Sequence, residues 1–181
     1  MNEKYKRRNQ IILAVFIAVI MVSSIFGLFG SNNESDKIEY KGKEFVRAQS
    51  GWLTHINNKP LYIKYSPEDL ANVSMPNVNF RQYSKVYISL NPNNRDDRAF
   101  YDLDYNIKEY FPTLRNFACY EDIIGCEDLP LKDCKDSSAT NLIILMKESN
   151  ITESSYEDNC LTLNGDITKL IDKIVLQVLL P

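Results

Sequence analysis

The sequence predicts an α+β protein: an N-terminal transmembrane helix, then one extracytoplasmic domain built as a mixed sheet with two main helices. Three observations predict it. Twenty uncharged residues, Ile11 to Gly30, follow directly on the basic cluster Lys4, Lys6, Arg7 and Arg8. The rest of the chain alternates short β-rich segments with two stretches of helical apolar spacing. All four cysteines, Cys119, Cys126, Cys134 and Cys160, fall in that second part.

The apolar run is long enough to span a bilayer, since a helix rises about 1.5 Å per residue and the hydrocarbon core is about 30 Å thick. In lipid its backbone can satisfy itself only as a helix. The basic residues hold the tail, 1–10, in the cytoplasm. Residues 31–37 then form a polar tether and 38–181 the extracytoplasmic domain. A cleaved signal peptide is the alternative, but its apolar core is normally about 7–15 residues, and here Ser23-Ser24 is followed by further hydrophobes. No Cys near the run offers a lipid attachment point, and the early Glu of a pilin-like leader is missing.

The domain opens with a hairpin over Ile38 to Val46, turning at Lys41-Gly42. A second hairpin turns at Asn57-Asn58, because Asn tolerates positive φ. That turn sets Trp52 opposite Ile63 and Leu53 opposite Tyr62. Ser66-Pro-Glu-Asp69 predicts a short helix ending near Val73: a capping Ser, Pro at the first helical position and an acid three residues on. Lys85 to Leu90 reads as a strand stopped by Asn91-Pro-Asn-Asn94. Ala99, Phe100, Leu103, Ile107, Tyr110 and Phe111 recur at helical spacing, with Asp96 and Asp97 in the favourable first turn. Leu142 to Met146 and Cys160 to Leu163 are strands. Asp166 caps a final helix with Ile167, Leu170, Ile171, Ile174, Val175 and Val178 on its inner face. One mixed sheet with Lys85–Leu90 and Leu142–Met146 as parallel neighbours joined by the helix fits this order.

Charge narrows the function. The tail carries +3 and the whole chain −3, which leaves −6 beyond it. An acidic outer domain argues against nucleic acid as a partner. Four cysteines in an oxidising space predict two disulfides. Three connectivities are open; we favour Cys126–Cys134 closing the Pro-containing loop, with Cys119–Cys160 as a long tie. The Cys spacings are too wide for the usual structural zinc pairs, so no metal and no cofactor is expected. Asn33, Asn72 and Asn150 begin glycosylation sequons.

Chemistry-bearing patterns are sparse. His55 is the sole histidine, so any Ser-His or Cys-His catalysis would have to use it, and no nucleophile signature lies near it. Asp96, Asp97, Asp102, Asp104 and Glu109 are the densest carboxylates, but on a helix Asp102 and Asp104 diverge by about 200°. Glu127, Asp128 and Asp133 lack the Gly and terminal Glu of a calcium loop. No phosphate-cradling Gly-rich loop, G-x-S-x-G or H-E-x-x-H is present. Eleven tyrosines are many for this length, and Tyr40, Trp52, Tyr62, Tyr65, Tyr83 and Tyr87 gather in the first half of the domain. Aromatics with a polar tip suit recognition surfaces, which makes Trp52, Tyr62 and Tyr65 the candidate binding residues.

The string Gly51-Trp-Leu-Thr-His-Ile-Asn-Asn-Lys59, followed by Tyr62 and Ser66-Pro67, resembles a hairpin of uncharacterised small single-span archaeal membrane proteins. The block Cys126-Glu-Asp-Leu-Pro-Leu-Lys-Asp-Cys134 and the strand Cys160-Leu-Thr-Leu163 are similar to them too. The resemblance implies an exported α/β domain on a membrane stalk and carries over no catalytic residue. The sequence therefore points to a single-pass protein of the cell membrane. Its lipid contact is the span, and its outer domain is a binding or structural module for a protein or envelope component. A carboxylate hydrolase and an accessory subunit of a membrane complex are the alternatives.

Overall fold

The computed structural model describes residues 17, 36–94, 97–110 and 114–180. The run 11–30 lies outside the described residues apart from Ile17, which is helical. Among the described residues no helix is long and apolar enough to cross a membrane. The folded body is a separate unit from Lys37 onward.

Its first part is an antiparallel meander of β1 (Lys37–Tyr40), β2 (Lys43–Ala48), β3 (Gly51–Ile56) and β4 (Lys59–Ile63). Two tight turns build it. Lys41 and Gly42 have φ of 49° and 71°, and Asn57 and Asn58 have 53° and 63°. Positive φ at both central residues gives a turn whose twist matches its flanking strands. The second turn produces the predicted register, Trp52 opposite Ile63 and Leu53 opposite Tyr62. Strand alternation then sends Phe45, Trp52, Leu61 and Ile63 into the core, while Val46, Leu53 and Tyr62 line up on the outer face.

After β4 the chain makes the predicted cap. The Asp69 amide donates to Ser66 Oγ at 3.0 Å, and the Ser66 amide and hydroxyl donate to Asp69 Oδ2 at 3.2 and 2.7 Å. The helix it was expected to start does not form; residues 67–72 are successive turns. From Glu68 to Val73 only Leu70 is buried, too little apolar area to repay a helix nucleus.

The second part is β5 (Lys85–Leu90), α1 (Asp97–Tyr110), β6 (Leu114–Cys119), β7 (Asn141–Lys147), β8 (Glu153–Glu157), β9 (Cys160–Asn164) and α2 (Ile167–Leu179). Its sheet runs β6-β5-β7-β9-β8, parallel except for β8. Two sheets therefore replace the single one expected. Among the described residues the meander strands pair with their sequence neighbours alone, so they make a sheet of their own. β5 and β7 are parallel neighbours as predicted. The helix, however, leads first to β6, which pairs on the other side of β5. Both missed strands, β6 and β8, are edge strands, and β8 alternates exposed and half-buried residues. That leaves a weak apolar signal.

The helices serve both sheets. Phe45, Trp52 and Ile63 of the meander and Ile88, Ile144 and Leu163 of the larger sheet join one core with Leu103 of α1 and Leu170 and Ile174 of α2. Each such aliphatic side chain contributes about 1.5–3 kcal/mol on full burial. Asp166 caps α2 as predicted, accepting from the Lys169 amide at 3.0 Å. The other face of the larger sheet carries Tyr87, Ile143, Leu145 and Cys160, packed with Tyr120 and Cys134 of the long β6–β7 connection. Ser89 Oγ donates to Lys132 O at 2.6 Å to hold that connection down.

Candidate functional site

The three predicted binding aromatics do not form one surface. The register that the Asn57-Asn58 turn imposes puts Trp52 and Tyr62 on opposite faces of the meander. Trp52 is 5% exposed. Its indole lies under the Arg47 guanidinium, 5.2 Å from the ring centroid, and among the described residues its Nε1 finds no acceptor. Tyr62 is half-buried on the outer face, its hydroxyl 2.8 Å from Ser50 Oγ. Tyr65 lies beyond the strand, at the start of α2. Its hydroxyl donates to Asp166 Oδ2 at 2.5 Å, and the ammonium groups of Lys64 and Lys169 stand 5.4 and 5.5 Å from its ring centroid. Nearby, Ser66's hydroxyl and amide hold Asp69 below the ordinary carboxylate range, with Lys169 and Arg47 adding to the effect. The residue that sequence reasoning did not connect to Tyr65 is Asp166, more than a hundred positions away.

Two of the α1 carboxylates form ion pairs with different strands. Asp104 pairs with Arg115 of β6 and Glu109 with Lys59 of the second hairpin. Asp96 lies outside the described residues. His55 is exposed on the outer face, on the side of Leu53 and Tyr62. In the long connection Asp133 forms a capping box with Asp136 over a short 3₁₀ turn, Cys134–Asp136. Glu127 turns back to accept from the Gly125 amide at 2.9 Å. Among the described residues no three His, Cys, Asp or Glu side chains gather as a metal site.

The disulfides pair differently from the expectation. Cys119 bonds Cys126 and Cys134 bonds Cys160, with Cα separations of 6.0 and 5.2 Å. Two local causes decide this. Gly125 at φ +96° reverses the chain so that Cys126 returns to the end of β6. The 3₁₀ turn then carries Cys134 across the sheet face to β9, where its sulfur also lies 3.8 Å from Thr162 Oγ1.

That pairing shapes a region which the sequence did not single out. β5 and β6 are adjacent and parallel, and both end at the same edge. From β5 the chain passes into α1, whose Leu103 packs in the core on the helix side. From β6 it passes to the opposite face through Tyr120. Between the two diverging segments is an open concavity of about 560 Å³ lined by Asn93, Asp122, Ile123, Ile124 and Glu127. Its two lips touch: Asn93 Nδ2 donates to Ile124 O at 3.3 Å, and a Cβ on Gly125 would stand 3.2 Å from Pro92. Burial raises the Tyr120 phenol above its usual range, with Glu121 and Glu148 contributing.

No family model, no curated protein and no solved structure matches this chain.

Proposed function

We propose that this chain is an extracytoplasmic binding module, held at the cell membrane by the span 11–30 with its basic tail in the cytoplasm. Two disulfides that use all four cysteines support an oxidising location. The observation that carries the binding role is Tyr65. Its half-buried ring is fixed by Asp166 and flanked by two cations, so little side-chain entropy remains to be lost when a partner docks. Tyr62, with Val46 and Leu53 in register, offers a second contact patch on the outer face of the meander. The partner is an envelope component, and Tyr65 together with Tyr62 replaces the original trio, since Trp52 belongs to the core.

The test places a photo-crosslinking phenylalanine at position 62, 65 or 101 of the full chain in cells. Tyr101 is the control, 60% exposed on α1. Adducts at 62 and 65 but not at 101 are expected. Equal adducts at all three positions, or none at 62 and 65, would reject the reading.

A further inference from the structure

We propose that Asn72 and Asn150 are N-glycosylation sites, each taking an oligosaccharide from a lipid-phosphate donor at the outer face of the membrane. The inference rests on the outward location of the domain argued above.

The acceptor chemistry comes first. Asn72-Val-Ser74 and Asn150-Ile-Thr152 each set a hydroxyl two residues after the Asn amide, the pattern of an N-glycosylation acceptor. Transfer, by a membrane transferase of the cell, forms a bond from Asn Nδ2 to C1 of a sugar and breaks the bond from that carbon to the lipid phosphate. The phosphate leaves with the proton that the nitrogen gives up, and nothing is oxidised or reduced. The span, 11–30, would hold the domain beside the bilayer that carries the donor.

The fold leaves both side chains available. Asn72 is exposed in the turns after β4, and Asn150, Ile151 and Thr152 are exposed in the β7–β8 loop. Other asparagines have structural work. Asn57 and Asn58 supply positive φ, and the side chains of Asn79, Asn91 and Asn164 form hydrogen bonds. Asn72 and Asn150 do neither: they do not take positive φ, and among the described residues their side chains have no hydrogen-bond partner. A sugar chain attached at either position disturbs no contact of the fold.

Tertiary structure brings the two sites to one end of the same strand. Ser154 Oγ of β8 donates to Ser74 O at 2.9 Å, and Thr152 immediately precedes β8. The β7–β8 loop is held in place: the Asp166 amide donates to Thr152 Oγ1 at 3.2 Å, and a Cβ on Gly165 would stand 2.5 Å from Ile151 O. β8 is an edge of the larger sheet. Edge strands invite pairing with other chains, and two bulky, hydrated glycans at its start would hinder that approach.

The experiment expresses the full chain in its source organism, isolates it from membranes and maps its peptides by mass spectrometry, with and without reduction. Carbohydrate mass is expected on Asn72 and on Asn150. None is expected on Asn77, which is exposed in the same connection as Asn72 but lacks a hydroxyl two residues on. Ser74→Ala should abolish the addition at Asn72 alone; the Ser74 carbonyl, not its hydroxyl, takes the bond from Ser154, so the tie to β8 survives the change. Thr152→Ala should abolish the addition at Asn150 alone, and Thr152→Ser, which keeps a hydroxyl there, should retain it. An addition that survives either Ala change, or an equal addition on Asn77, would overturn the proposal. So would bare Asn72 and Asn150 in a chain whose two disulfides have formed, a result that leaves the outward location standing. Bare asparagines together with free thiols would overturn both the proposal and that location.

Discussion

Replacing Asp172 with Ala should uncouple the meander from α2. Asp172 is 3% exposed and its Oδ2 accepts from two successive amides, Lys64 N at 2.8 Å and Tyr65 N at 3.0 Å. These bonds fasten the end of β4 to the middle of the helix. A hydrogen bond to a charged acceptor contributes about 1.5–3 kcal/mol, so two give about 3–6 kcal/mol. Removing the carboxylate also removes its own burial cost, which lowers the net loss. The Lys64 side chain is exposed while that of Tyr65 is half-buried, so water can reach one freed amide more easily than the other. We expect Asp172→Ala to cost about 3–5 kcal/mol, a large share of the 5–15 kcal/mol typical of a whole domain. Asp172→Asn keeps an acceptor of the same shape but without charge, and neutral bonds are about half as strong; a loss of about 1–2.5 kcal/mol is expected. The assay is urea unfolding of the oxidised full chain in non-ionic detergent, read by fluorescence of Trp52, the single tryptophan and a core residue. The exposed change Asp122→Asn should stay within about 0.5 kcal/mol. A loss below about 1 kcal/mol for Asp172→Ala, or an Asn variant no more stable than the Ala variant, would refute this account.

Two further predictions follow from the same structure. Peptide mapping without reduction should recover Cys119 linked to Cys126 and Cys134 linked to Cys160. With separations of 7 and 26 residues, loop-closure entropy predicts losses of about 2.4 and about 3.5 kcal/mol when each pair is changed to Ser, and equal losses would contradict the entropic reasoning. Burial, with the Tyr156 hydroxyl bonded to it, pushes the Tyr83 phenol from 10.0 to about 12. The unfolded phenol ionises first as pH rises, so Tyr83's contribution is intact below pH 10.0 and is lost as pH climbs to about 12. Tyr83→Phe should flatten the decline of stability across that window, and phenolate absorbance should show one tyrosine fewer titrating late.

Much of the body was legible because local physics dictates it. Asn57-Asn58 admits positive φ, that turn sets the pairing of β3 with β4, and the pairing sets the face of every side chain from Trp52 to Ile63. Asp166 was legible as a cap because its carboxylate needs only an amide three residues on. What escaped were features with weak local signals. β6 and β8 lie at sheet edges, where half the side chains meet water and apolar alternation is diluted. The predicted trio of aromatics failed as a surface for a related reason: composition placed them together, but strand alternation separated Trp52 from Tyr62.

The sequence by itself determined the turns, the caps, the apolar faces and the charge imbalance, because each depends on residues within a few positions of one another. The number of sheets, the order β6-β5-β7-β9-β8, the cysteine pairing and the meeting of Tyr65 with Asp166 were decided only by tertiary structure. These depend on which distant surfaces bury one another. Many pairings satisfy the same local preferences, and only the packed core, with α2 serving two sheets at once, selects among them.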